Sequence, residues 1–254
     1  MRQFLTLVVH ELRMLLIAPS TYVAAVLFLL LMGLVYFICM GLLVESDRET
    51  PTELYFKVFF LPVLFMVPLL TMKSIADEKR QGTLEALRTT PVTVTSMVLA
   101  KFFSAYFFYV ALWALSLGFP LIFFYGLPPQ PSLKLLIDPA ILGGGMTFIA
   151  LSGAFYVAVG LFTSSLTRSQ LVAGMLSFGL LFVLIVIGWL LLPALDNFDY
   201  TWLGHIELLL DYLQTYEHLE DFSRGVIDTR PFFFYLSGAA VTLGVTMLVV
   251  EARS

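Results

Sequence analysis

Apolar residues run in long blocks along this chain, and polar positions gather between them. Six blocks are each long enough for a helix to cross a bilayer, which takes roughly 20 mostly apolar residues. They fall at about 20–44, 54–75, 97–124, 139–162, 171–192 and 231–250. The stretch before the first has a different character. In residues 3–16 (FLTLVVHELRMLLI), Phe4, Leu7, Val8, Leu12, Leu15 and Leu16 recur on roughly one side, and His10, Glu11 and Arg13 interrupt the apolar surface. That pattern predicts an interfacial amphipathic helix lying on the membrane before the chain turns in. Pro19 suits the first turn of the span that follows, where a missing N–H removes no intrahelical bond.

The polar segments predict the connections. ESDRETPTE at 45–53 reads as a short charged turn. Span 2 carries Pro62 and Pro68, each of which removes a backbone hydrogen bond and should bend the helix, making them candidates for a kink or gate. Residues 76–96 (ADEKRQGTLEALRTTPVTVTS) form the main polar stretch on that side. Within it, Gly82 permits a sharp change of direction, residues 83–89 suit a short helix stopped by Thr90-Pro91, and Thr93 is placed to cap span 3. Glu85 near that helix start and Arg88 near its end agree with the helix dipole.

Pro120 lies near the far end of span 3, and GLPPQPSLKLLID at 126–138 is a proline-rich turn. Span 4 is rich in small residues. Ala150, Ala154 and Ala158 repeat every four positions, the spacing that lets two helices approach closely. They are a candidate packing seam, within one subunit or between two. TSSLTRSQ at 163–170 is a tight polar turn, and 193–230 is a longer polar segment containing an amphipathic stretch at 203–216. Periodicity leaves open whether that stretch rests on the outer surface, caps the bundle or is re-entrant.

Composition sharpens this picture. Of 254 residues, 59% are hydrophobic and 13% charged, against about 45–50% and about 25% in soluble domains. The chain reads as an all-α polytopic membrane protein, a single domain over 1–254. Its net charge of -4, with no basic stripe, removes nucleic acid as a partner. Cys39 stands alone and specifies no redox compartment. The first apolar run is too long for a signal-peptide core and reads as a retained span. Trp113, Trp189 and Trp202 read as interface anchors or bulky packing groups. With the N-terminus in the cytoplasm, nine basic residues lie inside (Arg2, Arg13, Lys73, Lys79, Arg80, Arg88, Lys101, Arg168, Arg253) and five outside, while acidic residues divide five to thirteen. Six spans with both termini cytoplasmic follow from that asymmetry.

Candidate chemistry is sparse. The three histidines, His10, His205 and His218, lie outside the spans, so no base is placed to activate Ser152 or Ser177. No aspartate pair occupies the apolar segments, and His10-Glu11 lacks a second histidine at zinc-binding spacing. Neither an enzyme nor a metal site is expected. Lys57, Lys73 and Lys101 lie near span ends, where their ammonium groups can snorkel, and nothing ionisable sits at mid-membrane to drive an ion-coupled carrier. No GxxxxGK run cradles a nucleotide. An energy source would have to be a separate ATPase gripping a cytoplasmic protrusion, for which residues 77–91 are the candidate.

Asp77-Glu78-Lys79-Arg80-Gln81-Gly82-Thr83-Leu84-Glu85-Ala86-Leu87, followed by Thr90-Pro91 and Lys101, resembles the loop after the second span of ABC-2 type transporter permeases. The order of elements resembles that family over essentially the full length. Residues 161–170 (LFTSSLTRSQ) and 222–228 (FSRGVID) are similar to its bacterial gliding-motility and copper-processing branch. The resemblance implies a type V exporter-like permease in the bacterial inner membrane, working with two cytoplasmic ATP-binding cassette subunits and a second permease, the same chain or a homologue. ATP and Mg would be held by the partner, with no cofactor in this chain. Carried onto this sequence, Glu78, Gly82, Thr83, Leu84, Glu85, Leu87 and Arg88 form the coupling element that meets the ATPase. The absence of a soluble substrate-binding module leans towards export. The competing reading is a non-transporting subunit that anchors a partner complex or passes force to an accessory protein on the outer side through 193–230.

Overall fold

The computed structural model of the chain describes residues 2–42, 51–82, 93–126, 139–195, 219, 222 and 229–253. Among them are ten helices: α1 (Arg2–Ile17), α2 (Pro19–Leu42), α3 (Pro51–Lys57), α4 (Phe60–Thr71), α5 (Ala76–Gln81), α6 (Val94–Ser116), α7 (Gly118–Gly126), α8 (Pro139–Leu166), α9 (Gln170–Leu195) and α10 (Arg230–Arg253). Among the described residues five stretches are long and apolar enough to cross a membrane: Pro19–Met40, Phe60–Gln81, Val94–Ile122, Ala140–Leu166 and Arg230–Ala252. A shorter apolar stretch, Gln170–Ile185, belongs to α9. The protein is an all-α polytopic membrane protein.

α8 is the central element. It packs against α10, α9, α6 and α4, and from Phe148 to Leu161 most of its side chains are buried. Its small residues explain the proximity. A Cβ at Gly153 would collide with the ring of Tyr109 on α6, and one at Gly160 with the side chain of Thr71 on α4. Ala154 and Ala158 are buried within this single chain, and the carbonyl of Ala150 accepts the Tyr106 hydroxyl at 3.0 Å.

Proline positions account for the breaks. The stretch expected as one bent span at 54–75 is instead α3, α4 and the turn before α5. The first break falls at Val58-Phe59 and is bridged by bonds from Phe59 N–H to Phe56 O (3.0 Å) and Leu61 N–H to Val58 O (3.2 Å). Pro62 therefore stands in the first turn of α4, where its missing N–H removes little, whereas Pro68 lies inside α4. Pro120 acts similarly. α6 stops at Ser116, and α7 restarts at Gly118 with Pro120 in its first turn.

Aromatic packing fills the centre. Trp113, fully buried, meets Phe28 edge-on with ring centroids 5.0 Å apart. Nearby, the Tyr55 hydroxyl donates to Ser116 Oγ at 2.6 Å. Of the two roles expected for Trp113, packing is the one it has. The short helix expected at 83–89 and the amphipathic stretch at 203–216 lie outside the described residues.

Candidate functional site

α5 has six residues, ADEKRQ, with Asp77 and Glu78 in its first turn and Lys79 and Arg80 in its last. That distribution suits the helix dipole, but a helix this short is not stable alone in water. Its ends show how it is held. Gly82 closes the C-terminus in the left-handed conformation, φ 71° and ψ 8°, with its N–H donating to Glu78 O. This is the change of direction expected of that glycine, a backbone state most side chains avoid. At the other end, the cap position is Ile75, which has no polar side chain to offer. The cap comes from elsewhere in the chain. Ser164 Oγ, at the end of α8, accepts from the N–H groups of both Ile75 and Ala76 at 3.1 Å and donates to Met72 O at 3.2 Å. The first amides of α5, which have no intrahelical partner, are satisfied by a residue 88 and 89 positions away.

The charged side chains of α5 point to different neighbours. Lys79 Nζ donates to the Ser165 carbonyl of α8. Asp77 pairs with Arg80 at 2.8 Å and accepts from Gln170 Nε2 at the start of α9. Glu78 turns inward to Lys101 of α6, whose Nζ donates to Glu78 Oε1 at 2.6 Å and to Glu11 Oε1 of α1 at 2.9 Å. Lys101 is only 3% exposed, against 19% for Glu11 and 26% for Glu78. One ammonium thus joins α1, α5 and α6.

This arrangement corrects two expectations. Lys101 does not snorkel. It lies two turns into α6, where Met97, Val98 and Ala105 are also buried, so its charge is met by carboxylates rather than by water. The other concerns the faces of α1: Glu11 does interrupt the apolar surface, as expected, and it does so on the inward face. Phe4, Leu7, Val8, Glu11, Leu12 and Leu15 form the more buried face. That face packs on α6, with Phe4 edge-on to Phe103. Leu16, grouped with these by periodicity, is 45% exposed on the other side with Leu5, Val9, Met14 and Ile17.

Beside the Lys101 centre is a cavity of about 350 Å³. Its lining mixes polar residues, among them His10, Glu11, Lys73, Asp77, Glu78 and Lys101, with apolar ones such as Met14, Leu15, Leu69 and Leu70. Among the described residues no cluster of His, Cys, Asp or Glu is placed to hold a metal ion.

Of the residues singled out from sequence, the structure puts Glu78 and Gly82 on one short helix. Thr83, Leu84, Glu85, Leu87 and Arg88 lie outside the described residues. Pro62 and Pro68 are buried in α4, and Ala150, Ala154 and Ala158 lie along α8, none of them lining the cavity. Sequence reasoning missed Lys101, Glu11, Ser164 and Gln170 as partners of α5. The available signal was a carboxylate in the apolar stripe of α1 and a lysine on the buried face of α6, since each requires a counter-charge when buried.

No curated protein matches the sequence significantly. Residues 5–251 match the family described as ABC-2 family transporter protein, whose members are non-catalytic transport subunits, and the chain belongs to that family.

Proposed function

We propose that the chain is the permease half of an ATP-driven exporter whose motor is a pair of separate cytoplasmic ATP-binding cassette subunits. The observation that carries this reading is the fixing of α5. A push on a short helix held only by its own backbone would be absorbed locally. Through Glu78–Lys101–Glu11, Ser164 and Gln170, displacement of α5 is passed to α6, α1, α8 and α9 together. Coupling of this kind needs a contiguous physical connection.

In this reading Glu78 and Gly82 act with Thr83, Leu84, Glu85, Leu87 and Arg88 as the coupling element, and the partner holds ATP and Mg. Six spans lie in the bacterial plasma membrane with both termini in the cytoplasm, beside a second permease that is this chain or a homologue. Pro68 and the Pro62 break give α4 a place to flex during gating, and the Ala150/Ala154/Ala158 stripe serves as a seam inside the subunit.

The test is co-purification with the ATPase from the native membrane, followed by ATPase and flux assays. Glu85→Lys should insert normally but lose ATPase association or substrate-stimulated turnover. Glu78→Gln should retain association and lose stimulation. Unchanged association and turnover in both variants would sink the coupling assignment. Intact ATPase coupling with no flux of any tested substrate would instead favour a force-transmitting subunit.

A further inference from the structure

The charges around α5 are matched in number but not in pairing. Three carboxylates, Glu11, Asp77 and Glu78, and two ammoniums, Lys73 and Lys101, line the cavity. Arg80 of α5 binds Asp77, which also accepts from Gln170. Glu11 and Glu78 both bind Lys101. Lys73, half-buried, makes no salt bridge among the described residues. One ammonium therefore serves two acids, while another in the same cavity has no acid of its own.

The place of Lys73 in the chain gives this imbalance a use. Lys73 lies in the turn that feeds α5, where the Asp77 N–H donates to Lys73 O at 3.3 Å, so it travels with α5. Glu11 stays with α6, because α1 packs on that helix. If α5 parted from α6, Glu78 would carry Lys73 along and Lys101 would keep Glu11. Asp77 would keep Arg80 and Gln170. Each acid then has its own cation, and no charge is stranded, the event that makes breaking a buried ion pair costly. The bonds from α5 to α8 and α9, through Ser164, Lys79 and Gln170, use other groups and need not break.

We infer that Glu78 exchanges between Lys101 and Lys73, so that the contact of α5 with α6 and α1 is a releasable latch while its contact with α8 and α9 is kept. Alternative salt-bridge pairings of this kind let packed elements switch between two discrete arrangements. The exchange belongs to this chain alone; only its use in passing on ATPase motion rests on the coupling reading.

The experiment is native-state thiol labelling of the purified full chain in nanodiscs, in a Cys39→Ala background, with Ala105→Cys and Ser104→Cys as separate reporters. Both positions line the cavity and are 2% and 1% exposed, so a charged, water-soluble methanethiosulfonate reaches them only when α5 parts from α6. Lys73→Gln removes the cation of the released pairing and no salt bridge of the latched one. It should slow labelling by about tenfold, as for loss of one charge-assisted bond, and Lys73→Arg should restore the rate. In a Glu78→Gln background, Lys73→Gln should have no further effect. An unchanged rate in Lys73→Gln would overturn the inference. Faster labelling would do so too, by making Lys73 a fixed counter-charge of the closed cavity. Equal slowing in the Glu78→Gln background would assign Lys73 to another acid and overturn it as well. Two reporters keep the test intact if one cysteine variant does not fold. Normal exchange with no ATPase recovered would remove the coupling reading and leave the latch standing.

Discussion

Replacing Lys101 with methionine is the most informative single perturbation. Met keeps most of the stem and removes the ammonium, so Glu11 and Glu78 lose the group that both of them bind, at 2.9 and 2.6 Å. Removing one partner of a fully buried ion pair costs about 3–5 kcal/mol, whereas a surface pair is worth about 0–1 kcal/mol. Here the lysine is 3% exposed and its carboxylates 19% and 26%. The carboxylates regain some water, which places the expected loss at about 2–3 kcal/mol. For a chain of this length that corresponds to a fall in Tm of roughly 5–10 °C, taking about 2–4 °C per kcal/mol. The assay is thermal unfolding in detergent or nanodiscs, read by tryptophan fluorescence, beside Glu11→Gln and Glu78→Gln. Each of those should cost less, because Lys101 keeps one anion. Their combination should cost more than the sum, since it strands a buried cation. The neutral triple variant Glu11→Gln/Lys101→Met/Glu78→Gln should recover part of the loss. A Lys101→Met variant within about 1 °C of wild type, or strict additivity of the two glutamate changes, would refute the idea that one ammonium joins the three helices.

Three further outcomes follow from the same geometry. Ser164→Ala removes the cap of α5 and should cost about 1–2 kcal/mol, seen as faster hydrogen exchange at the Ile75 and Ala76 amides with little change in α10. Gly82→Ala meets no atom of the described residues within 4 Å of the added carbon, so the expected cost is backbone strain at φ 71°, about 1–2 kcal/mol; Gly82→Asn should cost less, by the same unfolding assay. Gly153→Ala forces a methyl against the Tyr109 ring and should lower the yield of monodisperse protein in size-exclusion chromatography, with Tyr109→Ala restoring part of it.

The helices were legible because each is recorded locally. A run such as YVAAVLFLLLMGLVYFICM, from Tyr22 to Met40, needs no partner to be read as a span. Thr93 was legible for the same reason: its side chain accepts the Ser96 N–H at 3.2 Å, three residues ahead. Gly82 was also local, since its left-handed turn follows from its lack of a side chain. What escaped reading is non-local. The Glu11–Lys101 pair joins residues 90 apart, and Ser164 reaches back 88 and 89 positions to α5. No periodicity encodes such pairings. Lys101 reads as a snorkelling residue because it stands four positions into the span expected at 97–124, a distance the lysine stem can bridge when the helix end is free. It is not free here, because α1 covers that face.

The cap on α5 also sets an order of events in synthesis. Ile75 and Ala76 leave the ribosome long before Ser164 exists. At about 5–20 residues per second, the 88 and 89 positions between them take on the order of 5–20 s to translate. During that interval α5 has a sequence but no lid for its first amides, and Glu78 waits for Lys101 before its charge is answered. A chain truncated anywhere before the end of α8 would therefore present a frayed α5. Completion of α8, the fourth long apolar stretch among the described residues, is the event that supplies this cap and lets α5 become firm.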